Sequence, residues 1–134
     1  MIVLDEHLNG LEVERAIQRW YLGRVCNITE LRPGSVTKDD GIPHLLRGEQ
    51  QPTFVTLIWK HFWQRTTAHR GFCIVCLVLT TGQAGEISPF LRRLLRLTEF
   101  RTRSDRMGRV ARLSGERVAY YRVNDDQTYL LPLP

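Results

Sequence analysis

The sequence lacks any long apolar run. A membrane-spanning helix needs about 20 consecutive apolar residues, and no stretch of this chain approaches that length. The apolar start at residues 1–4 is also too short for a secretory signal peptide. These absences argue against membrane insertion and secretion, and we expect a cytoplasmic protein.

Cysteine is scarce, with only Cys26, Cys73 and Cys76. An odd number argues against a complete disulfide framework. Cys73 and Cys76 have the C-x-x-C spacing of zinc and redox sites, but they fall in a predicted strand, where residues three apart point to opposite faces. No second Cys/His pair of suitable spacing stands nearby. We therefore predict that both cysteines are small core residues.

The composition excludes disorder, and the charge is unevenly spread. The 134 residues are 43% apolar and 25% charged, which predicts one globular domain over residues 1–134. The net charge is +5. Residues 92–117 carry nine arginines against three acids, whereas residues 1–50 carry six basic residues against eight acids. A clustered arginine surface suits a polyanion, and surface ion pairs that aid solubility are the alternative.

Alternating strand and helix patterns predict an α/β fold. Predicted strands cover residues 2–4, 24–27, 52–58 and 72–79, and predicted helices cover residues 11–22 and 42–47 and open again at residues 86–89. The strand at 72–79 is apolar on both faces, which is typical of a central parallel strand. Right-handed crossovers would then cover both faces of a mostly parallel sheet and give a three-layer α/β/α sandwich.

Local signals refine this prediction. Asn9 is a plausible N-cap for the first helix, Pro33-Gly34 marks a turn, and Thr37–Asp40 resembles a capping box. Residues 109–113 and 117–123 predict a C-terminal β-hairpin around Ser114-Gly115. The apolar tail, residues 128–133, is expected to pack along an edge or a partner.

Two acidic pairs fall where an α/β sheet binds ligands. Asp5 and Glu6 follow the first strand, and Asp39 and Asp40 open the second helical segment. Because ligands bind beyond the carboxyl ends of parallel strands, these carboxylates could hold a divalent metal. Helix capping is the alternative for Asp5 and for the Asp39–Asp40 pair. One residue of helical phase would exchange the directions of Asp39 and Asp40.

Three segments together resemble a PIN-like nuclease domain. They are residues 2–7 (IVLDEH), 37–43 (TKDDGIP) and 52–63 (PTFVTLIWKHFW), and the similarity extends to residues 72–78 and 100–108. More narrowly, they resemble small bacterial PIN-like proteins that open with an L-D-E-x strand. The resemblance covers most of the chain. It implies a central strand order of 3-2-1-4, a metal site of clustered acids and cleavage of single-stranded RNA.

The resemblance also assigns roles to individual residues. Asp5 matches the first-strand acid, and either Asp39 or Asp40 matches the second acid. Apart from the resemblance, the chemistry of such a site would make Glu6 an auxiliary ligand or a hydrogen-bond acceptor next to the metal ligands. These carboxylates would hold Mg²⁺ or Mn²⁺, which would supply the hydrolytic chemistry.

The third strand departs from the family pattern. Ile58 and His61 occupy positions that are usually polar or acidic in PIN-like domains, and this loss of carboxylates weakens a Mg²⁺ site. His61 is either a substitute ligand, which would favour Mn²⁺ or Zn²⁺, or a structural residue. Trp59 and Trp63 could stack an unpaired base, or they could fill the core or a dimer interface.

Phosphate contacts are predicted from the basic residues. Guanidinium groups bind phosphates without reading sequence, and the candidates are Arg92, Arg93, Arg96, Arg101, Arg103 and Arg106.

The resemblance further implies a homodimer and, in many relatives, an antitoxin partner. Two hypotheses stay open: a metal-dependent endoribonuclease with Asp5, Asp39 and Asp40 as catalytic residues, or a catalytically degenerate PIN-like module that binds RNA or a protein partner.

Overall fold

The chain forms an α/β structure built on one seven-stranded sheet. A computed structural model describes residues 1–32 and 39–134 and, at Asp39, the backbone alone. The strands are β1 (Ile2–Leu4), β2 (Val25–Asn27), β3 (Thr53–Thr56), β4 (Cys73–Leu77), β5 (Arg109–Ser114), β6 (Arg117–Arg122) and β7 (Tyr129–Pro132). The α-helices are α1 (Val13–Gln18), α2 (Ile28–Leu31), α3 (Ile42–Arg47), α4 (Trp59–Phe62), α5 (Ile87–Leu94) and α6 (Arg103–Arg106).

Short 3-10 helices connect several of these elements. They are Glu6–Leu8, Asp39–Gly41, Thr81–Glu86 and Thr98–Phe100. Within the described ranges, no helix combines the length and apolar character needed to cross a membrane.

The strand order is β2-β1-β3-β4-β5-β6-β7. Strands β1 to β5 are parallel, β6 is antiparallel to β5, and β7 is antiparallel to β6. The central order 3-2-1-4 that the resemblance implied is therefore wrong, since β1 lies between β2 and β3. All four residues of β3 are buried. It pairs with β1 on one side and with β4 on the other, whereas the three-residue β2 pairs with β1 and forms an edge of the sheet.

Helices cover both faces of the sheet. On one face, Ile17 of α1 and Leu91 of α5 pack against the sheet. On the other face, Leu46 of α3 and Phe62 of α4 do so. Alternate residues of β4 point into the two clusters, because successive side chains of a strand alternate between faces. The continuous apolar character of β4 is thus explained by burial on both sides.

The first helix starts later than its sequence pattern predicts. Helix α1 begins at Val13, and its N-cap, Glu12, has a φ of 61° and makes no side-chain cap bond. Asn9 instead ends the preceding 3-10 helix, whose N-cap is Asp5. Helix α3 ends at Gly48, as predicted.

The remaining local predictions have mixed outcomes. Strand β5 pairs with both β4 and β6, so this strand extends the parallel sheet as well as turning back into β6. The apolar tail forms β7 and pairs along β6. The predicted turn at Pro33-Gly34 and most of the capping box at Thr37–Asp40 lie outside the described residues.

The cysteines behave as core residues. Cys73 and Cys76 belong to the clusters on opposite faces of the sheet, as the strand geometry predicts. Burial raises the pKa of each of these thiols to about 12, and it raises the pKa of the buried Cys26 thiol to about 11. Because the thiolate is the reactive form, all three thiols should be inert in the folded protein.

We predict that the folded protein releases no thionitrobenzoate from Ellman's reagent at about pH 8, near the ordinary thiol pKa. The same protein in guanidinium should react at all three free cysteines. Absorbance of the released thiolate measures both states. Rapid release from the folded protein would contradict the burial described above.

Candidate functional site

Asp5 lies at the carboxyl end of β1 and is 4% exposed. Its Oδ1 atom accepts a hydrogen bond from the backbone N–H of Glu6 at 2.7 Å. Its Oδ2 atom accepts from the hydroxyl of Thr56 at 2.6 Å, which joins the ends of β1 and β3. Both carboxylate oxygens are therefore engaged by protein donors, and Asp5 caps a 3-10 helix.

The other polar groups at this edge are also satisfied within the protein. The Asn27 side chain donates from Nδ2 to the Asp5 carbonyl at 3.1 Å, and its Oδ1 accepts from the backbone N–H of Thr29 at 3.1 Å. The Thr56 hydroxyl accepts from the backbone N–H of Ile58 at 3.0 Å. Asp5, Asn27 and Thr56 thus form a closed network that fastens three adjacent strand ends.

His7 is the exception at this edge. Its Nδ1 atom lies 3.4 Å from Asp5 Oδ2, and both ring nitrogens are buried without a hydrogen-bond partner in the described part of the chain. Among the described side chains, here or at any other place, no three His, Cys, Asp or Glu residues are grouped so that they could hold a metal ion. Asp5 and His7 therefore supply only part of a metal site.

The other predicted metal ligands are placed differently. Glu6 is exposed. Asp40 and His61 line a groove of about 770 Å³ together with Arg47 and Arg65, and Asp5 is not among the described residues that line it. The side chain of Asp39 lies outside the described residues. The structure thus places Asp40 and His61 in one groove, and Asp5 lies outside the described lining of that groove.

A second groove, of about 740 Å³, lies at the amino ends of the parallel strands. We call it the amino-edge groove, and its described lining residues are Met1, Tyr21, Leu22, Gly23, Arg24, Glu49, Gln50, Arg101, Arg103 and Arg106. These residues come from segments that precede β1, β2, β3 and β5, because parallel strands begin at the same edge of a sheet. Four arginines meet here, and Glu49 is the one carboxylate in this described lining.

Arg106, the last residue of α6, forms the floor of this groove and is 1% exposed. Its Nε atom donates to the Thr53 hydroxyl at 2.9 Å, and its Nη1 atom donates to the Phe100 carbonyl at 3.1 Å. Its Nη2 atom donates to the Tyr21 hydroxyl at 3.2 Å. All of these acceptors are neutral, and no carboxylate of the described residues forms an ion pair with Arg106. A buried charge without a counter-ion is costly.

The positive potential of the groove acts on a neighbouring group. The pKa of the Met1 amino group is lowered to about 6, first by burial and then by the positive charges of Arg106 and Arg103. This amino group donates to the Tyr21 hydroxyl at 3.3 Å. An anion in the groove would relieve the repulsion that lowers this pKa.

The six arginines predicted to bind phosphate divide into two sets. Arg101, Arg103 and Arg106 line the amino-edge groove. Outside that described lining, Arg93 of α5 pairs with Glu116, and the Arg92 guanidinium lies 5.7 Å from the centre of the Trp20 ring. Arg96, also outside it, is exposed.

Arg24 also lines the groove, although it was not among the predicted phosphate-binding residues. Arg24 is distant in sequence from the arginine-rich segment, and the groove brings them together. The available signal was its position at the start of a predicted parallel strand.

The tryptophans of α4 and its C-cap contact an arginine of β5. The Arg112 guanidinium lies 5.4 Å from the centre of the Trp59 ring and 5.0 Å from that of Trp63. Trp63 is 8% exposed and also packs against Tyr121. The packing alternative therefore holds for Trp63, whereas Trp59 is half-buried.

Comparison with known proteins identifies no relative. No protein-family model, curated protein or solved structure matches this chain.

We predict that replacing Asp5 with alanine lowers the free energy of unfolding by about 2 to 3 kcal/mol in the presence of EDTA. The loss combines an N-cap with a buried Thr56 hydroxyl that loses its acceptor. Urea denaturation measures this change. Glu6→Ala is the matched control, since Glu6 is exposed. Equal stability of the two variants would contradict the structural role of Asp5.

Proposed function

We propose that this protein binds single-stranded RNA through phosphate contacts in the amino-edge groove. The observation that carries the proposal is the buried Arg106, which has no carboxylate partner among the described residues. Three exposed arginines, Arg24, Arg101 and Arg103, surround it. Guanidinium groups bind phosphate oxygens with paired hydrogen bonds, so a phosphate-bearing strand would supply the missing negative charge.

The size and composition of the groove favour a polyanion over a small carboxylate. A volume of about 740 Å³ exceeds what a single carboxylate fills, and four guanidinium groups exceed the charge that it carries. The whole chain has a net charge of +5, which adds a long-range attraction for nucleic acid.

Aromatic side chains beside the groove favour an unpaired strand. Tyr21 lines the groove. The Trp20 ring packs edge-on against the Tyr21 ring, with 6.0 Å between the ring centres. Gly23 leaves room for the Tyr21 ring, since a Cβ atom there would lie 2.6 Å from Tyr21 Cε2. Bases of a single strand stack on such rings, whereas paired bases are already stacked on one another.

The resemblance to PIN-like domains, which usually act on single-stranded RNA, supports the same polyanion. The PIN-like identity of the fold, its three-layer sandwich, the homodimer and the antitoxin partner stay predictions from that resemblance.

Metal-dependent RNA cleavage at the Asp5 edge is the second candidate function. The observation that favours it is His7, whose unpartnered ring nitrogens lie beside Asp5 in the described part of the chain. A carboxylate with an imidazole suits Mn²⁺ better than Mg²⁺, which takes oxygen ligands. A bound metal would supply an activated water for phosphodiester hydrolysis. Glu6, Asp39, Asp40 and His61 stay predicted ligands.

The RNA-binding proposal is tested by removing the exposed arginines of the groove. The triple variant Arg24→Gln, Arg101→Gln, Arg103→Gln should bind a short labelled uridine oligonucleotide about 10- to 100-fold more weakly, as measured by fluorescence anisotropy. The slope of log affinity against log salt should fall by about 2, because each lost contact contributes about 0.7 for single strands.

The matched control removes the same charge elsewhere. Arg15, Arg70 and Arg117 are exposed and are absent from the described lining of the groove, so their triple glutamine variant should retain most of the affinity and slope. Equal losses in the two triples would mean that net charge alone drives binding, and no loss in either would remove the groove from the RNA site.

The second candidate is tested with the same Asp5→Ala protein. If the metal site is real, Mn²⁺ or Mg²⁺ raises the melting midpoint of the wild type above its value in EDTA and leaves that of the variant unchanged. Identical wild-type midpoints in all three solutions would dismiss this candidate without affecting the RNA-binding proposal.

A further inference from the structure

The floor of the amino-edge groove contains hydrogen-bond donors that the protein does not use. An arginine side chain has five N–H donors. Besides its bonds to Thr53, Phe100 and Tyr21, Arg106 makes one longer bond, to the Arg101 carbonyl at 3.4 Å. One N–H of its Nη2 atom therefore lacks an acceptor among the described residues.

The Tyr21 hydroxyl supplies a second unused donor. Its oxygen accepts from Arg106 Nη2 at 3.2 Å and from the Met1 amino group at 3.3 Å. While the Met1 amino group is protonated, both acceptor positions of this oxygen are occupied and the hydroxyl hydrogen is left to donate. No other described residue accepts it. Tyr21 and Arg106 both line the groove, so the two residues that carry these donors belong to one surface.

The arginines around these donors differ in exposure between the floor and the rim of the groove. Arg106 is buried at the floor, while Arg24, Arg101 and Arg103 are exposed. The one carboxylate of the described lining, Glu49, is half-buried. A ligand that enters this groove meets three exposed cations first and a buried cation last.

We infer that the floor of the amino-edge groove binds the terminal phosphate monoester of an RNA strand. This inference rests on the proposed function, because it names the part of the RNA that the floor recognises. An internal phosphodiester has one negative charge and a sugar on each side, which keeps it away from a cation that is 1% exposed.

A terminal phosphate satisfies the floor better on three counts. It extends beyond the last sugar and can therefore reach Arg106. It has three free oxygens, which accept from the unused N–H of Arg106 and from the Tyr21 hydroxyl together with rim arginines. Its charge at pH 7 is about −1.5 to −2, since its second pKa is about 6. The Coulomb attraction to the buried guanidinium is correspondingly larger than for a phosphodiester.

The experiment compares strands of one sequence that differ only at their ends. Oligouridines with a 5′-phosphate, a 3′-phosphate or hydroxyls at both ends compete with a labelled strand for the wild-type protein. We expect at least one phosphorylated strand to bind about 10-fold more tightly than the hydroxyl strand, because a charge-assisted hydrogen bond in a buried site has about this effect. The phosphorylated end that raises the affinity more identifies whether the floor binds the 5′ or the 3′ end of the strand.

Variants test the residues of the floor. Tyr21→Phe keeps the ring and removes the hydroxyl, and it should reduce the preference for the phosphorylated strand severalfold. Arg103→Gln removes an exposed guanidinium at the rim and should also reduce the preference for the phosphorylated strand severalfold. Arg117→Gln, which removes an exposed arginine of β6 from outside the described groove lining, should leave the preference unchanged. These variants carry the test even if Arg106→Gln fails to fold.

Two negative outcomes are distinguishable. Equal affinity of the wild type for phosphorylated and hydroxyl strands would overturn the terminal-phosphate subsite and leave RNA binding by the groove intact. Absence of binding to every strand would overturn the proposed function as well. A preference that survives both Tyr21→Phe and Arg103→Gln would place the recognition of the strand end outside this groove.

Discussion

The buried guanidinium of Arg106 is the interaction on which the amino edge of this structure depends. It joins Thr53 of β3, Phe100 at the end of a 3-10 helix and Tyr21 in the segment after α1. Three parts of the chain that are distant in sequence are thereby fixed around one cation. Neutral acceptors lower the cost of burying that cation but do not cancel its charge. The same residue therefore both organises the groove and makes it attractive to anions.

The two edges of the parallel sheet differ in how their polar and charged groups are compensated. At the carboxyl edge, Asp5, Asn27 and Thr56 satisfy one another and fasten the strand ends. At the amino edge, positive charge accumulates with a single carboxylate in the described lining. Ligands of α/β sheets usually bind at the carboxyl ends of strands. In this chain that edge carries the His7–Asp5 pair, and the larger uncompensated charge lies at the opposite edge.

Sequence patterns predicted the elements of this fold better than their neighbours in the sheet. Burial of β4 on both faces and the extent of α3 follow from local patterns of apolar residues and from Gly48. Strand order depends on long-range pairing, so the placement of β3 beside β1 could not be read from any one segment.

The candidate site shows the same limit. Two roles were predicted for Asp5, metal ligand and helix cap, and its hydrogen bond from the Glu6 backbone N–H supports the cap. Arg101, Arg103 and Arg106 stood out as a cluster, whereas Arg24 joins them only through the parallel sheet. No sequence pattern predicted that Arg106 is buried, because the sequence does not distinguish a buried arginine from an exposed one.

The most direct test of the anion site is the side-chain Nε–H spectrum of the arginines, recorded by NMR while RNA is added. A site centred on Arg106 predicts saturable shifts of the Arg106 resonance together with those of Arg24, Arg101 and Arg103, and a constant Arg117 resonance. An Arg106 resonance that stays fixed while RNA saturates the protein would contradict the central role of this buried charge.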